Sequence, residues 1–199
     1  MNWIEIVGFV TGALSVWLAA RGHVWTWPIG IVNSACWLLL FWTTRLYFDS
    51  TLQLVYIALG SAGWYWWLYG GPARDDLPVS GVSRRLAAFL VVIGLTATAL
   101  LWWVDANIIH SAMPMWDAST TVLSLVATYL LCRKLIATWW IWIAVDFAYI
   151  WMYTTEGLYL TAALQPLFIA MCIVGLIGWR RKLSDEDPPK LPVLGESSA

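Results

Sequence analysis

Asp146 is the only ionisable residue deep inside an apolar run of this chain. A charged side chain at mid-bilayer depth costs about 3 kcal/mol even on the gentle insertion scale, so it normally faces a partner or a wet cavity. The other acids considered, Glu5, Asp49, Asp105, Asp117 and Glu156, fall near the ends of apolar runs, and no Lys or Arg inside a run is available to pair with it. Asn33 lies near the centre of an earlier run and falls one residue out of register with Asp146 when the sequence is shifted by 112. In the same register Trp37 aligns with Tyr149, one turn further along, giving two aromatic faces that could clamp a flat ring. A carboxylate, an amide and aromatic faces together suit a flat cationic heterocycle carrying hydroxyls. The plainer reading of Asp146 and Asn33 is a hydrogen bond between membrane helices.

These residues are set in a pattern written twice. The shift of 112 superimposes Arg21 on Arg133, Thr26 on Thr138, Trp27 on Trp139, Leu46-Tyr47 on Leu158-Tyr159, Gly63 on Gly175 and Trp67 on Trp179, with Glu5 on Asp117. The only two glutamines, Gln53 and Gln165, align with each other, and Pro166 follows the second. They read as facing positions around an axis, with a ligand or gating role, and interhelical packing as the alternative. Repeated polar, aromatic and glycine positions inside apolar sequence point to a transporter built from two halves around a central site. The halves are not copies: Gly30 aligns with Trp142 and Trp64 with Leu176, which implies an asymmetric substrate. Trp142 lies about one turn from a helix end, where it would line the pathway or join an interfacial belt.

Composition sets the class. With 61% hydrophobic residues, 12% charged residues and a mean hydropathy of +0.71, the chain reads as an integral membrane protein. A net charge of -1 gives no reason to expect nucleic acid. Spans of about 20 mainly apolar residues can be marked near 4–20, 27–43, 51–69, 86–104, 116–132, 139–155 and 159–179. The expected organisation is a three-helix repeat over 1–69, a loop at 70–85, a linker span at 86–104, a second three-helix repeat over 105–182 and a disordered tail at 183–199. The first run has no basic n-region or cleavage site and reads as a retained helix. Ten basic residues, Arg21, Arg74, Arg84, Arg85, Arg133, Lys134, Arg180, Arg181, Lys182 and Lys190, fall on one side and only Arg45 on the other. That bias makes the basic side cytoplasmic and puts the N-terminus outside and the C-terminus inside the cell membrane. The halves are then parallel repeats with the site between them near the midplane.

Trp3, Trp25, Trp66, Trp67, Trp102, Trp103 and Trp179 sit where interfacial aromatics belong and read mainly as a membrane belt. Cys36, Cys132 and Cys172 are well separated in apolar segments and suit small core residues. His23 and His110 fall in loops on opposite sides. No phosphate loop, H-E-x-x-H or nucleophile motif occurs, and neither a metal site nor a cofactor is expected. An intramembrane enzyme would need an acid-base partner for Asp146. A non-transporting receptor would leave the repeat unexplained. Asp146 could also bind a proton and couple it to uptake.

The stretch Trp27-Pro28-Ile29-Gly30-Ile31-Val32-Asn33, then Leu46-Tyr47, Leu52-Gln53 and Gly63-Trp64-Tyr65-Trp66, resembles the first half of the PnuC nicotinamide riboside transporters. The second half is similar through Trp116-Asp117, Leu123-Ser124-Leu125-Val126-Ala127, Arg133-Lys134, Trp139-Trp140-Ile141-Trp142, Asp146 and Gly157-Leu158-Tyr159-Leu160-Thr161-Ala162. The resemblance covers nearly the whole chain apart from the polar loop and the tail. It implies an all-α membrane fold of seven helices in a three-plus-one-plus-three arrangement like that of the SWEET proteins, assembled as a homotrimer. It also implies facilitated diffusion of a vitamin-type nucleoside, trapped inside when a cytoplasmic kinase phosphorylates it. The motifs are weakly specific for the ligand, since similar transporters are assigned to thiamine, riboflavin and deoxynucleosides. Nicotinamide riboside carries a cationic pyridinium, and thiamine, with its cationic thiazolium, would suit the same chemistry nearly as well.

Overall fold

The structure is a computed structural model that describes residues 3–72, 75–111 and 113–186. Among these residues the chain forms seven α-helices and a short π-helical turn. The helices are α1 (Trp3–Arg21), α2 (Thr26–Thr43), α3 (Tyr47–Tyr69), α4 (Arg84–Val104), α5 (Pro114–Cys132), α6 (Ala137–Thr155) and α7 (Tyr159–Glu186). The π turn, Asp105–Ile109, continues α4. Ser83 caps α4 by accepting a hydrogen bond from the Leu86 amide at 3.3 Å. Pro114 starts α5, where its missing amide proton costs nothing. Three stretches, Arg84–Ile109, Pro114–Cys132 and Thr161–Ser184, are long and apolar enough to cross a membrane by hydropathy alone. Helices α1, α2, α3 and α6 have comparable lengths of 18 to 23 residues. Their Trp, Tyr, Ser and Thr content lowers a hydropathy sum without preventing burial.

Helix neighbours run α1–α2–α3–α5–α6–α7 and back to α1, so six helices close a ring. Helix α4 stands outside it and packs only on α5 and its own π turn. None of its side chains is buried, which suits an apolar helix facing lipid. The two halves meet along two seams, α1 against α7 and α3 against α5.

The 112-residue spacing recurs in the backbone. Gly22 and Lys134 both take the left-handed conformation, at φ of 71° and 49°, and so do Arg45 and Gly157, at 63° and 76°. The turns share their hydrogen bonds: the His23 amide reaches the Leu18 carbonyl as that of Leu135 reaches Leu130, and Leu46 reaches Phe41 as Leu158 reaches Tyr153. Thr26 Oγ1 donates to the Ser15 carbonyl, and Thr138 Oγ1 to that of Ala127, tying the first two helices of each half together.

A layer of four indoles fills the end of the ring where the basic residues gather. Trp27 meets Trp67 edge to face at 5.4 Å, Trp67 meets Trp179 at 6.0 Å and Trp179 meets Trp139 edge to face at 5.2 Å. Trp67 and Trp179, expected in an interfacial belt, are instead 1% and 0% exposed. Near a helix end the same residue type suits either lipid headgroups or a core, and the partner rings decide. Room for the layer comes from two glycines: a Cβ at Gly63 would lie 2.6 Å from Trp27, and one at Gly175 would lie 2.6 Å from Trp139. Trp25, Trp102 and Trp103 are exposed.

Helix α7 extends beyond the expected end of the second half to Glu186, and it runs continuously through Pro166. The rest of the expected disordered tail, with Lys190, lies outside the described residues, as does Arg74; the side chains of Trp3 and Glu5 are likewise not described. Overpacking costs about 1–3 kcal/mol. Gly63→Ala and Gly175→Ala should therefore each lower the detergent melting temperature, while Gly81→Ala, with nothing within 4 Å, should not. Equal melting of all three proteins would contradict the indole-on-glycine contacts.

Candidate functional site

Apolar helices have no hydrophobic reason to associate in lipid, so polar contacts and close packing hold the ring together. Asn33 uses its amide this way. Its Nδ2 donates to the Gly8 carbonyl and, at 3.1 Å, to Thr11 Oγ1, both on α1. Trp37, one turn on, stacks on Phe41 at 5.6 Å and lies over Gly8, where a Cβ would be 3.0 Å from its ring.

Asp146 points elsewhere. It is 5% exposed, and its contact is the Cys172 thiol of α7, which donates to Oδ2 at 3.8 Å. No ion pair to Asp146 is present among the described residues. One residue is a rotation of about 100° on a helix, and that offset matters here. Position 33 turns α2 toward α1, whereas position 146 turns α6 toward α7. The residue aligned with Asp146 is Ser34, also buried. The structure thus places Asn33 and Asp146 on different flanks of their middle helices.

Across the α3–α5 seam the structure assembles a different polar group. The hydroxyls of Tyr56 on α3 and Tyr149 on α6 are neighbours, and both lie beside Ser124 on α5; Tyr149 also approaches Thr120. The backbones of α3 and α6 do not touch, so these side chains meet across the ring. Ser124 Oγ is buried and makes no hydrogen bond of good geometry among the described residues. Tyr149 stacks on Tyr153 at 5.5 Å and 18°. Gln53 lies one turn from Tyr56 on α3 and is half-buried. Gln165 is buried on α7 at the aligned position. Trp142 packs against the four-indole layer, one turn from Asp146 toward the basic end.

Reading the sequence did not single out Tyr56, Thr120 or Ser124. The available signal was asymmetry in the repeat. Thr120 aligns with Gly8, Ser124 with Gly12 and Tyr56 with Phe168, so each hydroxyl stands in one half at a position where the other half carries none. At the end of the molecule opposite the indoles, Asp49, Asp105 and Asp117 lie within electrostatic reach of one another. Asp117 accepts from Ser111 Oγ. Tyr153 lies between this acidic mouth and the tyrosine group, within reach of Asp117, Glu156 and Tyr149. No cluster of three metal-ligating side chains occurs among the described residues, and the cysteines are free.

A ring of apolar helices in two related halves, with hydroxyls and tyrosine rings gathered at its seam, defines an integral membrane transporter for a small polar solute. The sequence pattern of one family, described as nicotinamide mononucleotide transporter, matches residues 2–181. The chain belongs to that family. It is 26% identical over 205 residues to the nicotinamide riboside transporter PnuC of Escherichia coli, spanning 90% of this chain and 84% of that one. It is 25% identical over 196 residues to the riboflavin/roseoflavin transporter RibM of Streptomyces davaonensis, spanning 95% and 90%. The crystal structure of a vitamin B3 transporter PnuC superimposes with a TM-score of 0.70 at 22% identity, over 92% of this chain and 83% of that chain, so the fold is shared.

Polar ties between membrane helices contribute about 0.6 kcal/mol on average and up to about 1.7. Asn33→Ala should lower stability by an amount in that range, and a double-mutant cycle with Thr11→Val should show coupling of the two side chains. Strictly additive losses would exclude the Asn33–Thr11 bond.

Proposed function

We propose that this chain carries nicotinamide riboside across the cell membrane by alternating access, down its gradient, with the nucleoside held between the two halves. The carrying observation is the tyrosine group at the α3–α5 seam together with the acidic mouth above it. Aromatic faces attract a cationic ring, and the Tyr56, Tyr149, Ser124 and Thr120 hydroxyls offer both donors and acceptors to a ribose. Gln53 and Gln165 flank the site from α3 and α7. Asp146, Trp37, Asn33 and Trp142 support it from the helices behind.

The family description and the relatives' names leave the phosphate open, and electrostatics favours its absence. A phosphate monoester would pass Asp49, Asp105 and Asp117 with like charges facing, whereas a pyridinium is drawn in. The basic side chains lie mainly at the other end of the molecule. By the excess of Lys and Arg, that end is the cytoplasmic one. A kinase there would trap the nucleoside by adding the phosphate that the acidic mouth repels. Assembly as a homotrimer, with a pathway in each protomer, is part of the same proposal and rests on the family resemblance.

The halves touch along two seams and are otherwise self-contained bundles, which supports rigid-body rocking of one against the other.

Calorimetry on purified protein tests the reading. Nicotinamide riboside should bind more tightly than thiamine, riboflavin, a deoxynucleoside or nicotinamide mononucleotide. Loss of one hydroxyl bond is worth about 0.5–1.5 kcal/mol, so Tyr149→Phe and Tyr56→Phe should each weaken binding several-fold. Asp146→Ala should weaken it as well if its carboxylate contributes to the field at the site. Preference for thiamine would keep the site and reassign its substrate, and no binding of any of these compounds would sink the proposal.

A further inference from the structure

We infer that the loop between α3 and α4 is a latch that holds the basic end of the pathway shut, and that transport requires it to release. The inference rests on the transport reading above and deepens it. Val79 of this loop is 6% exposed and belongs to the same buried cluster as Trp27, Trp67, Trp139, Trp179 and Cys132. Ser80 docks on the turn between α5 and α6: its amide donates to the Lys134 carbonyl at 3.1 Å, and its carbonyl accepts from Ile136 at 3.0 Å. The pair forms a parallel bridge with Leu135, the one β-bridge among the described residues. The Leu77 amide also donates to the Trp67 carbonyl at the end of α3, at 3.3 Å.

The loop is therefore bonded to both halves at once. Its root is on α3 of the first half, and its tip is held by the α5–α6 turn of the second. Against it lies a half-open cavity of about 370 Å³, lined by loop residues, Gly22 of the α1–α2 turn, Lys134 of the α5–α6 turn and Lys182 of α7. Every element on this list ends at the basic face, so the loop spans the mouth of the ring. A surface connector has no need of a buried valine or a two-bond bridge, since loops satisfy their backbones with water.

The layer beneath explains why a latch is needed. Trp27, Trp139 and Trp179 bury their indole N–H groups without a hydrogen-bond partner among the described residues. A buried donor left unpaired is destabilising, and water would satisfy all three once the layer opened. Trp67 is the exception, donating across the seam to the Leu131 carbonyl at 3.0 Å. The closed layer thus carries a standing tendency to open, opposed by ring packing, by the Trp67 bond and by Val79 and Ser80 above.

A disulfide lock tests this. In proteoliposomes the double variant Ser80→Cys with Leu135→Cys, oxidised, should take up nicotinamide riboside at about one-tenth of its reduced rate or less, with recovery on reduction. Complete cross-linking with unchanged uptake would overturn the latch. If the reduced protein and the unaltered chain take up no nicotinamide riboside, the transport reading has failed instead, and a substrate-free measurement decides the latch. Cys132, 0% exposed beneath Val79, is a native reporter, and Cys172, buried beside Asp146, is its control. Maleimide labelling read peptide by peptide should show the ratio of Cys132 to Cys172 modification rising about tenfold in Val79→Gly or Ser80→Pro, through easier local opening. An unchanged ratio in both variants overturns the inference.

Discussion

Two tryptophans lie directly against two glycines, and the rest of the molecule is organised around those contacts. Trp27 can reach the axis only because Gly63 has no side chain, and Trp139 stands in the same relation to Gly175. Each indole then packs edge to face with a tryptophan on the third helix of its own half, and Trp67 and Trp179 meet between the halves. In lipid, where burying apolar surface brings no gain over facing acyl chains, such close packing is what holds helices in register. Widening the groove by one methyl would displace a ring, and with it the contact that joins the halves. Val79 of the loop between α3 and α4 packs into the same buried cluster.

The same backbone carries different chemistry in its two halves. The turns at Gly22 and Lys134, and at Arg45 and Gly157, are superimposable in conformation and bonding. Yet α5 places Thr120 and Ser124 where α1 has Gly8 and Gly12. The glycines let α2 come close, so that Trp37 covers Gly8 and Asn33 bonds its carbonyl. The hydroxyls instead face Tyr149 and Tyr56. At these aligned positions α1 is closed by packing, whereas α5 carries hydroxyls that meet tyrosines from both halves.

Much of the fold was legible in one dimension. Long apolar runs with charges at their ends leave a chain few alternatives, because a backbone in lipid must satisfy its own hydrogen bonds and does so as helices. The spacing of 112 aligns Arg21 with Arg133 and Leu46-Tyr47 with Leu158-Tyr159, beside turns that share their conformation. The candidate site was legible only in part. Tyr149 and Gln53 stand out in the sequence because they are polar or aromatic within the repeat, whereas Tyr56, Thr120 and Ser124 carry no such mark. Asn33 and Asp146 differ by a single register position, but one position is more than a quarter turn of helix and sends them to different neighbours.

Sequence alone determined the class of protein, the helices, the repeat and the polarity of the two ends, since each is a property of local composition or of periodicity along the chain. Tertiary structure decided which tryptophans form a core and which stay exposed, which hydroxyls meet across the ring, and that a polar loop is bonded to the turn between α5 and α6. Those outcomes depend on contacts between residues far apart in the chain, such as Trp67 with Leu131 and Ser80 with Lys134. Such contacts are fixed by the rotation of each helix about its axis and by the space that glycines leave, and neither is written in any one segment.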